Sequence, residues 1–148
     1  MGSGISGLGS AILAKKQGWK AFVSDMGKIQ NTTKVKLEEL GIPFEEGQHS
    51  PDKIANADLV MKSPGIPSDA KIVKDLNQKG IPVVSEIDWA SRFTDATLIG
   101  ITGTNGKTTT TLLTYHILKS AGLNVGCVGN IGSSFAESVA KDHFDHYV

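Results

Sequence analysis

Seven consecutive residues, Gly103-Thr104-Asn105-Gly106-Lys107-Thr108-Thr109, combine the groups that polyphosphate chemistry needs. Glycines let a loop turn several backbone N–H groups toward one anion. A lysine neutralises phosphate charge, and the hydroxyl beside it can hold Mg²⁺. The apolar stretch 97–101 before the loop reads as a strand, and a helical pattern starts at Lys107. A helix N-terminus adds partial positive charge where such a loop delivers its anion. The usual phosphate loop is longer between its glycines, whereas here only Thr104 and Asn105 separate Gly103 from Gly106. The strand–loop–helix context still favours ATP-type phosphate binding by residues 103–109 over a plain glycine-rich turn. Lys107 is the candidate catalytic residue and Thr108 the candidate metal ligand.

A second glycine cluster opens the chain. Gly2-Ser3-Gly4-Ile5-Ser6-Gly7 fits G-x-G-x-x-G, and Asp25 follows at the end of the next apolar stretch. That is the dinucleotide fingerprint without its leading strand, with an acid about 20 residues further on. The alternative is a flexible glycine-rich start. Ser63-Pro64-Gly65 closes the apolar stretch 58–62. Proline presets φ and glycine tolerates a positive one, so a type II turn is expected there. In an open parallel sheet, ligands gather at the carboxyl ends of strands, which would bring this turn beside Ile5, Ser6 and Asp25.

The histidines, the cysteine and the acids of the sequence Ser85-Glu86-Ile87-Asp88 suit structural roles. His143 and His146 are read as surface histidines, His116 as a helix residue and Cys127 as inert core. Glu86 and Asp88 are read as helix N-terminal acids rather than an acid/base pair.

The elements that must position these loops alternate. Helices are expected over 6–18, 33–40, 70–79, 107–121 and 134–140, with a short helical piece over 87–93. In the 107–121 helix, Leu113, Ile117 and Ala121 stand in register. Strands are expected over 21–24, 58–62, 82–85, 97–101 and 125–128, and residues 145–148 look like the start of another. Alternation of this kind argues an α/β fold built of βαβ units with parallel sheets. The expectation is a Rossmann-like parallel-sheet domain over 1–94, followed by the start of a P-loop-type ATP-binding α/β domain over 95–148. With no strand before Gly2 and a strand beginning at the end, the chain reads as an internal piece of a larger protein.

Composition narrows the class. Lys plus Arg and Asp plus Glu are 15 each, so the net charge is zero, which argues against a general nucleic-acid binder. Charged residues are 20% and hydrophobic ones 39%, too apolar for a disordered chain. The single cysteine cannot form an internal disulfide, which fits a reducing compartment. No apolar run approaches the ~20 residues that span a bilayer, and no signal-peptide pattern is present. A cytoplasmic globular protein is expected.

Residues 101–109 resemble the shortened phosphate loop of the Mur ligase and folylpolyglutamate synthetase superfamily. The glycine fingerprint, Lys62-Ser63-Pro64-Gly65-Ile66-Pro67, Ser85-Glu86-Ile87-Asp88 and Gly129-Asn130-Ile131-Gly132 together resemble, in that order, the D-glutamate-adding branch of the Mur ligases. The resemblance implies a peptidoglycan-synthesis ligase, a cytoplasmic monomer using ATP and Mg²⁺. Its substrates would be UDP-N-acetylmuramoyl-L-alanine and D-glutamate. It implies that Ile5 and Ser6 approach the UDP diphosphate and that Asp25 and Met26 approach the uracil. Ser63, Pro64 and Gly65 would border the same nucleotide, and Asn130 would reach it from the second domain. A small polar residue is common in the family at the position of Met26. The family's metal-binding glutamate and histidine and its carbamylated lysine would fall beyond Val148. A nicotinamide-dependent oxidoreductase would explain the first glycine cluster but not Gly106-Lys107-Thr108. Another amide ligase of the superfamily, or a non-catalytic nucleotide-binding module, would explain both.

Overall fold

A computed structural model describes residues 1–129 and 131–148. The first ninety residues form α1 (Ile5–Lys16), β1 (Val23–Asp25), α2 (Asn31–Glu39), β2 (Phe44–Glu46), α3 (Pro51–Ala55), β3 (Val60–Met61), α4 (Lys71–Gln78), β4 (Val83–Val84) and α5 (Glu86–Ala90). A 3₁₀ turn, Ser91–Phe93, leads to β5 (Thr97–Leu98), α6 (Lys107–Ser120), β6 (Val125–Gly126), α7 (Phe135–Lys141) and β7 (His146–Tyr147). The helices α1, α2, α4 and α6 stop at Gly18, Gly41, Gly80 and Gly122, each in the left-handed conformation that ends a helix without a Cβ penalty.

Two elements, β2 and α3, were not expected from the sequence. The segment Phe44-Glu45-Glu46 carries two acids and lacks a strand-like alternation. It becomes a strand because Glu45, only 8% exposed, finds partners inside. The five-residue α3 has Pro51 at its first turn and is too short for a periodic signal. The α/β class holds: every strand pairing is parallel, β1 with β2, β3 with β4, and β5–β7–β6 in a third sheet.

The start of the chain lies between the first two pairs. The Gly2 N–H donates to Ser24 O at 2.9 Å, while Met1 O accepts from Ser63 N at 3.0 Å. The Met1 amino group donates to Met61 O. Those bonds are the staggered pattern of a parallel ladder, so Met1 and Gly2 occupy the slot between β1 and β3. That is the place the dinucleotide-binding topology reserves for the strand before its glycine loop.

Three apolar clusters form the core. Leu8, Ala11, Val23, Ile29, Leu37 and Ile42 pack α1 and α2 against β1. Ile54, Val60 and Leu76 pack under β3. The largest joins Leu13, Trp89 and Ala90 to Phe135, Ala136, Ala140 and Tyr147, so α7 is seated on α1 and α5. Edge-to-face aromatic contacts, Trp89–Phe93 at 4.7 Å and Phe135–Tyr147 at 5.1 Å, knit this cluster. Because α1 is covered by β1 on one side and α7 on the other, Leu8 and Leu13 are both buried.

The apolar stripe of the long helix is not buried. No residue of α6 is buried, and Leu113 and Ile117 are each 56% exposed. A helix of 14 residues is about 21 Å long, and a sheet of two-residue strands has too little surface to cover it. Among the described residues, no helix is long and apolar enough to cross a membrane.

Candidate nucleotide-binding sites

The first glycine loop is compact because its glycines leave no room for side chains. A Cβ on Gly7 would overlap Gly2 O, and one on Gly2 would overlap the Ser63 Oγ. The helix α1 begins at Ile5 with Gly4 as its N-cap and no side-chain cap. Its first N–H groups therefore have no intrahelical partner and point out of the loop.

Asp25 holds the loop in place. Its Oδ2 accepts from Ser3 N and from Ser3 Oγ, both at 2.6 Å, and its Oδ1 accepts from Gly27 N at 2.8 Å. Burial pushes its pKa up, but the Ser3 hydroxyl and the Gly27 and Ser3 N–H groups outweigh that and hold the carboxyl below its usual range. In this structure the acid's first task is to pin the loop to the end of β1.

A cavity of about 400 Å³ opens above the loop, lined by Ser3, Gly4, Ile5 and Leu8 from the loop and α1. Lys28, Gln30, Thr33 and Lys36 close a second side, and Gly132, Ser133 and Glu137 a third. Two lysines and an uncapped helix start against one carboxylate, Glu137, give it the polarity of an anion site. The third wall comes from the distal part of the chain, carried there by α7.

Of the residues picked from sequence, Ile5 lines this cavity and Asp25 braces it through Ser3. Ser6 lies in the first turn of α1 but not on the cavity lining, and Met26, 61% exposed, lies outside it. Ser63 sits against Gly2, and Pro64 and Gly65 are exposed beside it. The turn there closes through Ile66 N to Ser63 O at 3.0 Å. It is not the expected type II turn, because Gly65 does not adopt a positive φ. Glycine is equally at home in the right-handed geometry of a type I turn. Asn130 lies outside the described residues. Sequence reasoning passed over Lys28, Thr33 and Lys36, which have no motif; the signal available was two lysines placed soon after the acid that ends β1.

The second loop stands open to solvent. Residues 102–110 are all exposed. Gly106 takes φ 77° and ψ −3°, left-handed, as the uncapped N-cap of α6, and Gly103 takes φ 147°. The Lys107 Nζ reaches back to Gly103 O at 2.5 Å and Thr104 O at 3.2 Å. Lysine, glycines and an uncapped helix start are thus gathered within one turn, with Thr108 and Thr109 next along it. These groups fit a polyphosphate. Within residues 102–110 the side-chain oxygens on offer to a divalent cation are threonine hydroxyls, Thr108 among them, and the Asn105 amide. Among the described residues, no group of three His, Cys, Asp or Glu side chains could hold a metal.

Away from the two loops, the acids and the cysteine take structural places. Asp88 forms a capping box with Ser85 at the start of α5. Glu86 accepts from Ala136 N at 3.0 Å and so caps α7 as well. Burial raises the Cys127 thiol pKa, which keeps it unreactive.

Comparison with known proteins agrees with this architecture. Residues 2–72 match the MurD N-terminal domain, and residues 101–146 match the Mur ligase middle domain. The chain is 55% identical over 148 residues to the UDP-N-acetylmuramoylalanine--D-glutamate ligase of Bacteroides fragilis, covering all of this chain and 33% of that protein. It is 43% identical over 143 residues to the same-named ligase of Chlorobaculum tepidum, covering 94% of this chain and 30% of that one. The chain spans about a third of the length of the curated relatives it matches. Among solved structures, the UDP-N-acetylmuramate:L-alanyl-gamma-D-glutamyl-meso-diaminopimelate ligase from Neisseria meningitides superposes with TM-score 0.61 at 25% identity, covering 100% of this chain and 49% of that one. UDP-N-acetylmuramate-alanine ligase MurC from Thermotoga maritima gives 0.51 at 28% identity, covering 82% and 29%. With both of its halves matched by Mur ligase domains in their order along the chain, the chain belongs to the Mur ligase family.

Proposed function

We propose that this chain is the nucleotide-handling part of an ATP-dependent ligase that joins D-glutamate to UDP-N-acetylmuramoyl-L-alanine in peptidoglycan synthesis. The observation that carries the reading is the pairing, in one chain, of two glycine loops that each feed an uncapped helix start, α1 and α6. The likeness of the whole chain to named D-glutamate ligases supports it.

The cavity between the first loop and α7 takes the UDP diphosphate. Ile5 and Ser6 bring it onto the start of α1, and Lys28 and Lys36 balance its charge. Asp25 and Met26 lie toward the base and Ser63, Pro64 and Gly65 along the loop's underside; Asn130, outside the described residues, is a further candidate contact by family position alone. Residues 1–94 and 95–148 are the two working units.

Gly103, Thr104, Asn105, Gly106, Lys107, Thr108 and Thr109 take the ATP phosphates. A carboxylate is a poor electrophile, because its charge repels nucleophiles and oxide leaves badly; transfer of a phosphoryl group onto it removes both obstacles, and the amine then displaces phosphate. Lys107 stabilises charge on the transferring group, a largely electrostatic contribution. Mg²⁺ would sit at Thr108, with most of its shell from phosphate and water, as is usual for that ion. A cytoplasmic setting follows from the supply of ATP and a UDP-linked substrate.

The test is phosphate release by the full-length ligase containing this chain, given UDP-N-acetylmuramoyl-L-alanine, ATP and one amino acid at a time. Release with D-glutamate alone supports the reading. Release with another amino acid assigns the chain to a sister ligase, and none with any amino acid refutes the reading.

A further inference from the structure

A close approach between the two ends of the chain is made at Gly9, which is not part of the glycine fingerprint. Gly9 lies inside α1 and faces the start of α7. A Cβ there would overlap the Ser134 Oγ and stand 3.0 Å from Glu137 N and 3.2 Å from Glu137 Cβ. Ser134 is 1% exposed, and its hydroxyl is committed as the N-cap of α7, accepting from Glu137 N at 3.1 Å. Neither partner is the free end of a flexible side chain, so an added methyl can be relieved only by moving α7. Glycine inside a helix is unfavourable relative to alanine, and at this position close approach is what offsets that cost.

The placement of α7 matters because of what it carries. Residues from the first part of the chain hold it at both ends: Glu86 accepts from Ala136 N at 3.0 Å, and Lys16 Nζ donates to Ala140 O. Directly before α7 come Gly132 and Ser133, which form the third wall of the cavity over Ser3, Gly4 and Ile5. The spacing between α1 and α7 therefore sets the width of that cavity.

We infer that Gly9 is a positioning residue for the sugar-nucleotide site: its missing side chain lets α7 seat Gly132 and Ser133 against the glycine loop, so that a nucleoside diphosphate is gripped from both ends of the chain. The inference rests on the proposal that this cavity takes the UDP-linked substrate.

Two measurements test it. Hydrogen exchange at the amides of Ser133 to Glu137 compares the 148-residue chain with Gly9→Ala, a comparison that needs no ligand. Exchange should quicken there while Val73 and Leu76 in α4 stay unchanged. In the full-length ligase, Gly9→Ala should raise KM for the UDP substrate about tenfold or more, as expected for a displacement of order 1 Å, with KM for ATP held within about twofold. Glycine is well tolerated at an N-cap in place of serine. Ser134→Gly thus removes the overlapping hydroxyl cheaply, and the Gly9→Ala effect should be much smaller in that background. Unchanged exchange at Ser133 to Glu137 overturns the inference. So does an equal rise in both KM values, or a Gly9→Ala effect that is the same with and without Ser134→Gly. If the unaltered ligase is not saturated by the UDP substrate at all, the proposed function fails, while the exchange result still decides the geometry.

Discussion

Glu45 is the carboxylate whose surroundings have done most to it. Its Oε1 accepts from Ser24 Oγ and Ser50 N, both at 2.7 Å, and its Oε2 accepts from Ser50 Oγ at 2.6 Å. Burial raises its pKa, yet the Ser50 hydroxyl and N–H, the Ser24 hydroxyl and the Lys53 charge together bring it from 4.5 down to about 2. A carboxylate whose folded pKa is depressed stabilises the fold fully above its unfolded pKa, and that contribution is lost as pH falls through the folded value. The urea midpoint of the chain should therefore drop between about pH 5 and pH 2. Glu45→Gln should flatten that drop and cost about 1–3 kcal/mol near neutrality; a drop of unchanged steepness would clear Glu45 of the role. Lys107 and Asp25 make their own predictions. Lys107 lies among the loop carbonyls where phosphates would be received, so Lys107→Ala should abolish ATP binding measured by calorimetry. Asp25 pins Ser3 and hence the first loop, so in the full-length ligase Asp25→Ala should raise KM for the UDP substrate far more than KM for ATP. An equal rise in both would point to general misfolding instead.

Among the elements, the slot between β1 and β3 is the least complete. Met1 and Gly2 supply ladder bonds to both neighbours, but two residues pair with only the ends of those strands. Each buried N–H or C=O left unpaired costs about 1–3 kcal/mol. A chain extended upstream by a strand's length of apolar residues should gain protection at Phe22, Val23, Leu59 and Val60. The expected slowing of hydrogen exchange is roughly hundredfold or more, the equivalent of two or so recovered bonds. Equal protection in the two chains would show that the sheet does not use a strand there. The helix α6 is unfinished in another way: Leu113 and Ile117 point to solvent, and among the described elements α6 packs mainly against β6. Its start, at the candidate phosphate loop, is nevertheless well formed, because the left-handed turn at Gly106 depends on local backbone conformation rather than on burial.

At the level of the whole molecule, α7 ties the two ends of the chain into one core, with Leu13 and Trp89 on one side and Phe135 and Tyr147 on the other. Both candidate nucleotide sites are present, but the chain spans 33% of the length of its B. fragilis relative. The 148-residue chain alone should therefore form no amide product from the UDP substrate, D-glutamate and ATP. Chromatographic detection of that product with highly purified chain would contradict the division of labour proposed here.

What could be read from the residues alone was local. Glycines placed just beyond helices, Gly106-Lys107-Thr108 at a helix start and the alternation of apolar stretches are all set by backbone preference and capping, which act within a few residues. They were enough for the α/β class and the family resemblance, and they singled out the candidate phosphate loop. The tertiary structure decided the rest. The strand β2 exists because Glu45 finds Ser24 and Ser50, which its own neighbours could not announce. The turn at Ser63-Pro64-Gly65 accepts either of two geometries, and the surrounding chain selects one. Leu113 and Ile117 have the spacing of a buried face, but spacing says nothing about whether another surface is there to cover them. The cavity itself joins Ser3 to Ser133 and depends on a methyl-sized absence at Gly9. Contacts between residues so far apart in sequence are chosen by packing, and packing is a property of the folded whole.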